Sequence, residues 1–150
     1  MWTLQFLGKF QGLLPLLLRL TVGASFAFSY GYGKIAPGGS FDGGRAFVAQ
    51  GTAWAPLLYA GAWMEFLGGL ALLAGLFTRW AAIGILAVAA YKVFGVHWAQ
   101  GFAAHGDAAG NVVGYELPAA YALMCVGVMV LGPGSLSLDR LFFQKAALNA

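Results

Sequence analysis

From Ala53 to Trp80 the chain reads AWAPLLYAGAWMEFLGGLALLAGLFTRW, an apolar run carrying one carboxylate, Glu65, near its middle. A helix rises about 1.5 Å per residue, so this run is long enough to cross the hydrocarbon core of a bilayer. A charge at that depth costs about 2.5 kcal/mol even on a lenient insertion scale, so it faces a partner or a polar cavity. Glu65 therefore demands a cation at its own depth. Gly61, Gly68, Leu72 and Gly75 share its helical stripe, and small residues at such spacing let a second helix approach closely.

With 61% hydrophobic and 9% charged residues in 150, the chain lacks the polar surface to coat a soluble domain of its size. The expected fold is all-α, a single-domain integral membrane bundle of four transmembrane helices over about 13–32, 53–77, 80–102 and 117–131, with short interfacial helices. The net charge of +3 comes from eight scattered Lys and Arg residues, not the basic stripe that phosphate binding requires, so no nucleic acid partner is expected. Cys125, the one cysteine, lies in an apolar run without a CxxC companion, which excludes an internal disulfide or a thiol relay.

Residues 1–11 mix aromatic, apolar and basic side chains as an interfacial lead-in does. In the first span Pro15 falls in the opening turns, and Arg19, Gly23, Ala27 and Gly31 form a stripe at four-residue spacing. Arg19 argues against a cleaved signal, whose apolar core would not hold a charge. The connection Gly33–Gln50 is glycine-rich and contains Lys34, Asp42 and Arg45, with Ser40 able to cap a short interfacial helix. Thr78 and Arg79 are expected to turn the second span into the third as an antiparallel hairpin. Lys92 then lies as far beyond that turn as Glu65 lies before it. Arg19, about 15 Å of helix beyond Lys9, is expected at mid-membrane as well.

The third connection holds His105, Asp107, Asn111 and Glu116, with His97 and Trp98 just inside the preceding helix. In the tail, Ser137 is a candidate N-cap before an apolar stripe of Leu138, Leu141 and Phe142. Four spans place both termini on one side with Lys9, Arg79, Arg140 and Lys145, against Lys34 and Arg45 opposite, so the positive-inside rule puts the termini in the cytoplasm.

Two sets of residues can carry function. Arg19, Glu65 and Lys92 form an intramembrane polar cluster. Its plainest reading is a buried ion pair or triad that fixes helix register; the alternatives are a pocket for a quinone head group, with Glu65 accepting protons, and an ion or solute path. His97, Trp98, Tyr115 and Glu116 are candidates for the outer mouth of that pocket. Two histidines separated by a glycine-containing loop do not make a metal site, and none is expected. Trp54, Trp80, Trp98 and Tyr115 at span ends suit an interfacial belt better than a stacking box.

The stretches LLRLTVGASFAFSYGYGKI, EFLGGLALLAGLFTRWAA, the H-x-x-x-GF opening of the third connection with its later YE, and the ending GPGSLSLDRL resemble, in order and spacing, the DoxX family of small four-helix bacterial membrane proteins. The resemblance implies a multi-pass protein of the bacterial inner membrane that partners redox proteins. Relatives form a subunit of a thiosulfate:quinone oxidoreductase, and others associate with superoxide dismutase and a sulfurtransferase. The expected function is thus an integral membrane subunit of a larger redox complex, anchoring or stabilising other subunits and offering a non-covalent quinone site. No nucleotide loop, nucleophile constellation or redox cysteine pair is present, so no catalytic residue is assigned and chemistry by this chain alone is not expected. The alternatives are a small-solute or ion transporter acting as a homo-oligomer, and a purely structural accessory subunit.

Overall fold

Within lipid no water satisfies the backbone, so apolar runs of this length close their own hydrogen bonds as helices. The computed structural model describes residues 13–39, 55–103, 105–106, 112–134 and 137–141. Among them are α1 (Leu13–Ile35), α2 (Ala55–Ala74), α3 (Thr78–Gln100) and α4 (Glu116–Leu131). The described residues also include a short antiparallel pairing, β1 (His105–Gly106) with β2 (Val112–Val113). Three helices, α1, α2 from Pro56 and α3, are long and apolar enough to cross a membrane; α4 is apolar but has 16 residues.

Two helices change winding at the same end of the molecule. α1 passes from α-helix into a π-helical stretch, Ser25–Tyr32, before a last turn at Gly33–Ile35. α3 does so at Lys92–His97 and ends in a 3-10 turn, Trp98–Gln100. Such i→i+5 windings re-aim side chains and are frequent at functional sites.

The helices form a ring in which α1 packs on α2 and α4, and α3 packs on α2 and α4. Neighbours run antiparallel: Gly23 meets Gly69 and Leu73 while Gly31 meets Phe66, and Gly68 meets Ile85. The glycine ladder of α1 lets α2 come to backbone contact. A Cβ on Gly23 would lie 2.9 Å from the Gly69 carbonyl oxygen, and one on Gly31 would lie 2.7 Å from Phe66 Cβ. On α2 the residue that receives this ladder is Gly69, one turn beyond Glu65. Of the stripe expected from the sequence, Gly68 faces α3, Leu72 is in the core, and a Cβ on Gly61 would meet nothing within 4 Å.

Val22, Phe26, Leu72, Ile85, Ala89, Cys125 and Val128 fill the centre. Leu17, Leu57, Leu67, Leu123 and Val130 point outward, each more than half exposed. A soluble fold would not carry such a belt; lipid covers it.

The α2–α3 turn sits at Gly75–Phe77, not at Thr78 and Arg79 as the sequence suggested. Gly75 and Phe77 both take positive φ, +69° and +48°, which reverses the chain before the polar pair and leaves Thr78 and Arg79 to open α3. In the tail, the Ser137 hydroxyl accepts from the Arg140 amide at 3.2 Å, the N-cap arrangement for the helical turn at 138–141. The lead-in 1–11, the Ser40 helix, Trp54 and Phe142 lie outside the described residues.

Because the α1–α2 approach hinges on Gly69, Gly69→Ala should destabilise the protein by about 1–3 kcal/mol through overpacking. Gly61→Ala should be neutral or slightly stabilising. Thermal unfolding of both variants in detergent checks the pair.

Candidate functional site

α2 carries Glu65 at its midpoint, where the side chain is 0% exposed. Two lysines meet it. Lys92 Nζ lies 2.7 Å from Oε1, and Lys34 Nζ donates to Oε2 at 2.5 Å. Lys92 comes from the start of the π-helical segment of α3, and Lys34 from the last turn of α1, reaching inward on its long apolar stem. Exposure grades across the set: the Lys92 side chain is 15% and the Lys34 side chain 27% accessible, so the network opens toward the Lys34 end of the bundle.

Arg19 is not part of this network. Its guanidinium donates to the Pro133 carbonyl oxygen, and a Cβ on Gly75 would come within 2.7 Å of it. The reason is register. Antiparallel packing through Gly23 and Gly69 sets Arg19 opposite Gly75, some ten residues or about 15 Å of helix below Glu65. Arg19 is nevertheless buried, and the Asp139 carboxylate favours its charge electrostatically. Asp139 also accepts hydrogen bonds from the Phe77 and Thr78 amides at 2.6 and 2.8 Å, while its own amide donates to the Gly75 carbonyl at 2.9 Å. The tail thereby caps α3, which has no capping side chain of its own.

Beside the lysines lies a cavity of about 310 Å³ lined by Phe26, Tyr30, Lys34, Lys92, His97, Gly114, Leu117, Pro118 and Tyr121. α1, α3 and α4 enclose it, and α2 contributes Glu65 behind the ammonium groups. In its aromatic wall Tyr121 stands edge-on to Phe26 at 5.3 Å and to Tyr30 at 6.0 Å, and Phe26 and Tyr30 are tilted against each other at 5.3 Å between centroids. Lys92 Nζ sits 3.9 Å over the Tyr30 ring, a cation–π contact, and the Tyr121 hydroxyl donates to Ser25 Oγ at 3.0 Å. Away from the cavity the core side chains Val22, Leu72, Ile85 and Val128 are fully buried and apolar, and they separate the Glu65 network from Arg19.

Of the outer-mouth candidates, His97 lines the cavity, with Nδ1 2.7 Å from Gln100 Oε1. Trp98, Tyr115 and Glu116 do not line it. Trp98 stacks on Tyr115 at 5.3 Å and 16°, and Phe94 and Phe102 join this cluster on the exposed rim. Glu116 is exposed at the first turn of α4, its amide bonded to the Phe102 carbonyl. Trp80 and Trp98, both more than half exposed, stand at opposite ends of α3, as interfacial anchors do. Among the described residues no three His, Cys, Asp or Glu side chains are grouped to hold a metal ion.

Sequence reasoning missed Lys34, Phe26, Tyr30 and Tyr121 as members of the site. The signal for Lys34 was present: it continues the Gly23, Ala27, Gly31 face at its far end, three residues past Gly31. The aromatic wall had no such signal, because it depends on the π-helical winding of α1.

The DoxX family model matches residues 14–98, more than half of the chain. The chain belongs to the DoxX family. The match covers α1, α2 and α3 as far as Trp98, and so includes Arg19, Lys34, Glu65, Lys92 and His97. Family membership and the apolar helices make it a multi-pass membrane protein in contact with the bilayer. No curated protein and no solved structure matches this DoxX chain.

Breaking a buried ion pair on one side leaves the other charge uncompensated, so Glu65→Gln should cost about 3–5 kcal/mol of stability. A double-mutant cycle should show Glu65→Gln coupled to Lys92→Gln. With Arg19→Gln it should be additive within about 0.5 kcal/mol, because about 15 Å of helix separates the two sites.

Proposed function

We propose that this DoxX protein is the membrane subunit of a quinone-linked redox assembly, held in the inner membrane by four spans with both termini cytoplasmic, and that its cavity receives the quinone head group. The observation that carries the reading is the convergence of three aromatic rings with two ammonium donors and His97 on one cavity of about 310 Å³. That size is at the lower bound of about 300 Å³ for small-molecule sites, enough for a ring system with its lipid tail left in the bilayer. The rings offer edge and face contacts, and the lysines offer hydrogen bonds to ring carbonyls.

The division of labour follows from what the chain contains. Its one thiol, Cys125, is buried in the core, so it offers no cysteine pair for electron transfer. The partner subunits supply the electron donor, and this chain binds, orients and shields the acceptor. α4 completes the fourth span with the flanking residues of its two turns, since 16 helical residues reach about 24 Å. Transport is less well supported for a single copy because the apolar core closes the bundle between the cavity and the Arg19 end.

The test is extraction in mild detergent through a C-terminal tag, with mass spectrometry of co-purifying proteins and lipid-soluble molecules. Redox subunits in stoichiometric yield with quinone are expected. A homo-oligomer without quinone would contradict the proposal and turn attention to transport. Tyr30→Leu should weaken quinone retention by about tenfold, the worth of one aromatic pair.

A further inference from the structure

Resting on the reading of the cavity as a ring-binding site, we infer that it selects the anionic form of its ligand, binding an aromatic ring with an ionised oxygen in preference to the neutral ring. The charge arithmetic of the wall carries this. Lys34 and Lys92 contribute two positive charges and Glu65 one negative, which leaves one positive charge in surplus. The carboxylate cannot offset that surplus at the ligand, because Glu65 is fully buried, does not line the cavity, and has one oxygen engaged by each lysine.

Donor capacity points the same way. Each ammonium has three N–H donors; Lys34 gives one to Glu65 Oε2, whereas Lys92 Nζ is ion-paired with Oε1 but makes no hydrogen bond among the described residues. Both lysines line the cavity, whose other polar side chains among the described residues are His97 and the Tyr30 and Tyr121 phenols, with no carboxylate among them. The Tyr121 hydroxyl is already committed to Ser25. The surrounding Phe26, Tyr30 and Tyr121 rings keep the local dielectric low, which strengthens a charged contact relative to a neutral one. A phenolate or enolate oxygen on a ring fits this wall better than a carbonyl, since it adds a charge–charge attraction to the charge-assisted hydrogen bond that an ammonium already gives a carbonyl.

Lys34 is the residue that sets the preference. Without it, Glu65 and Lys92 balance and the wall becomes neutral, while the aromatic rings that hold the ligand stay in place. Lys34 sits in the last turn of α1 with a partly exposed side chain, so its replacement disturbs the core less than replacement of Lys92.

The experiment uses the purified full chain in nanodiscs of phosphatidylcholine, whose headgroups add no net charge. Calorimetric titration compares a hydroxynaphthoquinone that is ionised at neutral pH with the parent naphthoquinone. The wild-type protein is expected to bind the ionised compound about tenfold more tightly, and Lys34→Gln to bind the two alike. Lys34→Arg should keep the preference, as should Arg79→Gln at the opposite end. Equal binding by the wild-type protein, a preference that survives in Lys34→Gln, or one lost in Arg79→Gln would overturn anion selection while leaving the ring site standing. Binding of neither compound would overturn both.

Discussion

A carboxylate held between two lysines inside an apolar bundle is the constraint on which the rest of this structure depends. Glu65 is intolerable in hydrocarbon without compensation, and that compensation comes from two other helices, Lys34 on α1 and Lys92 on α3. The single side chain therefore ties three of the four helices together. It also fixes their axial register, because both ammonium groups must arrive at its depth. The surplus positive charge is left facing the cavity, so the element that stabilises the fold also sets the chemistry of the space beside it.

The opposite end is organised by a second, separate charge. Arg19 is buried against Pro133 and Gly75, and Asp139 closes the α2–α3 turn by taking the Phe77 and Thr78 amides. Phe77 adopts a left-handed backbone conformation that a large side chain takes only when its surroundings fix it. The Asp139 carboxylate supplies that fixing, and it draws the segment after α4 back under the bundle. Between the two ends lies an apolar, buried core. The two ends thus carry separate charge networks, one around Asp139 and one around Glu65.

Much of this was legible in the residues. The apolar runs marked the helices, the Arg19 to Gly31 ladder marked the face of α1 that meets α2, and counting from Thr78 and Arg79 brought Lys92 to Glu65, a pairing the structure keeps although the turn lies at Gly75–Phe77. The pattern assigned Arg19 to Glu65 and left Lys34 to the following connection, although both flank the same ladder. Antiparallel contact of Gly23 with Gly69 decides for Lys34, and Gly69 is distinguished from Gly68 only by which helix it faces. The α2–α3 turn shifted because Gly75 supplies positive φ ahead of the polar residues. The aromatic wall was hidden because π-helical winding breaks the periodicity on which face assignments rest.

The central claim is that two lysines, and not Arg19, hold Glu65. With two glutamates and four lysines in the sequence, solid-state NMR in lipid bilayers can measure it directly through dipolar coupling between the glutamate carboxyl carbon and the lysine ζ nitrogens. The account predicts that the Glu65 carboxyl couples to two ζ nitrogens, one lost in Lys34→Gln and the other in Lys92→Gln. Coupling to a guanidinium nitrogen of Arg19, or to no lysine at all, would contradict it.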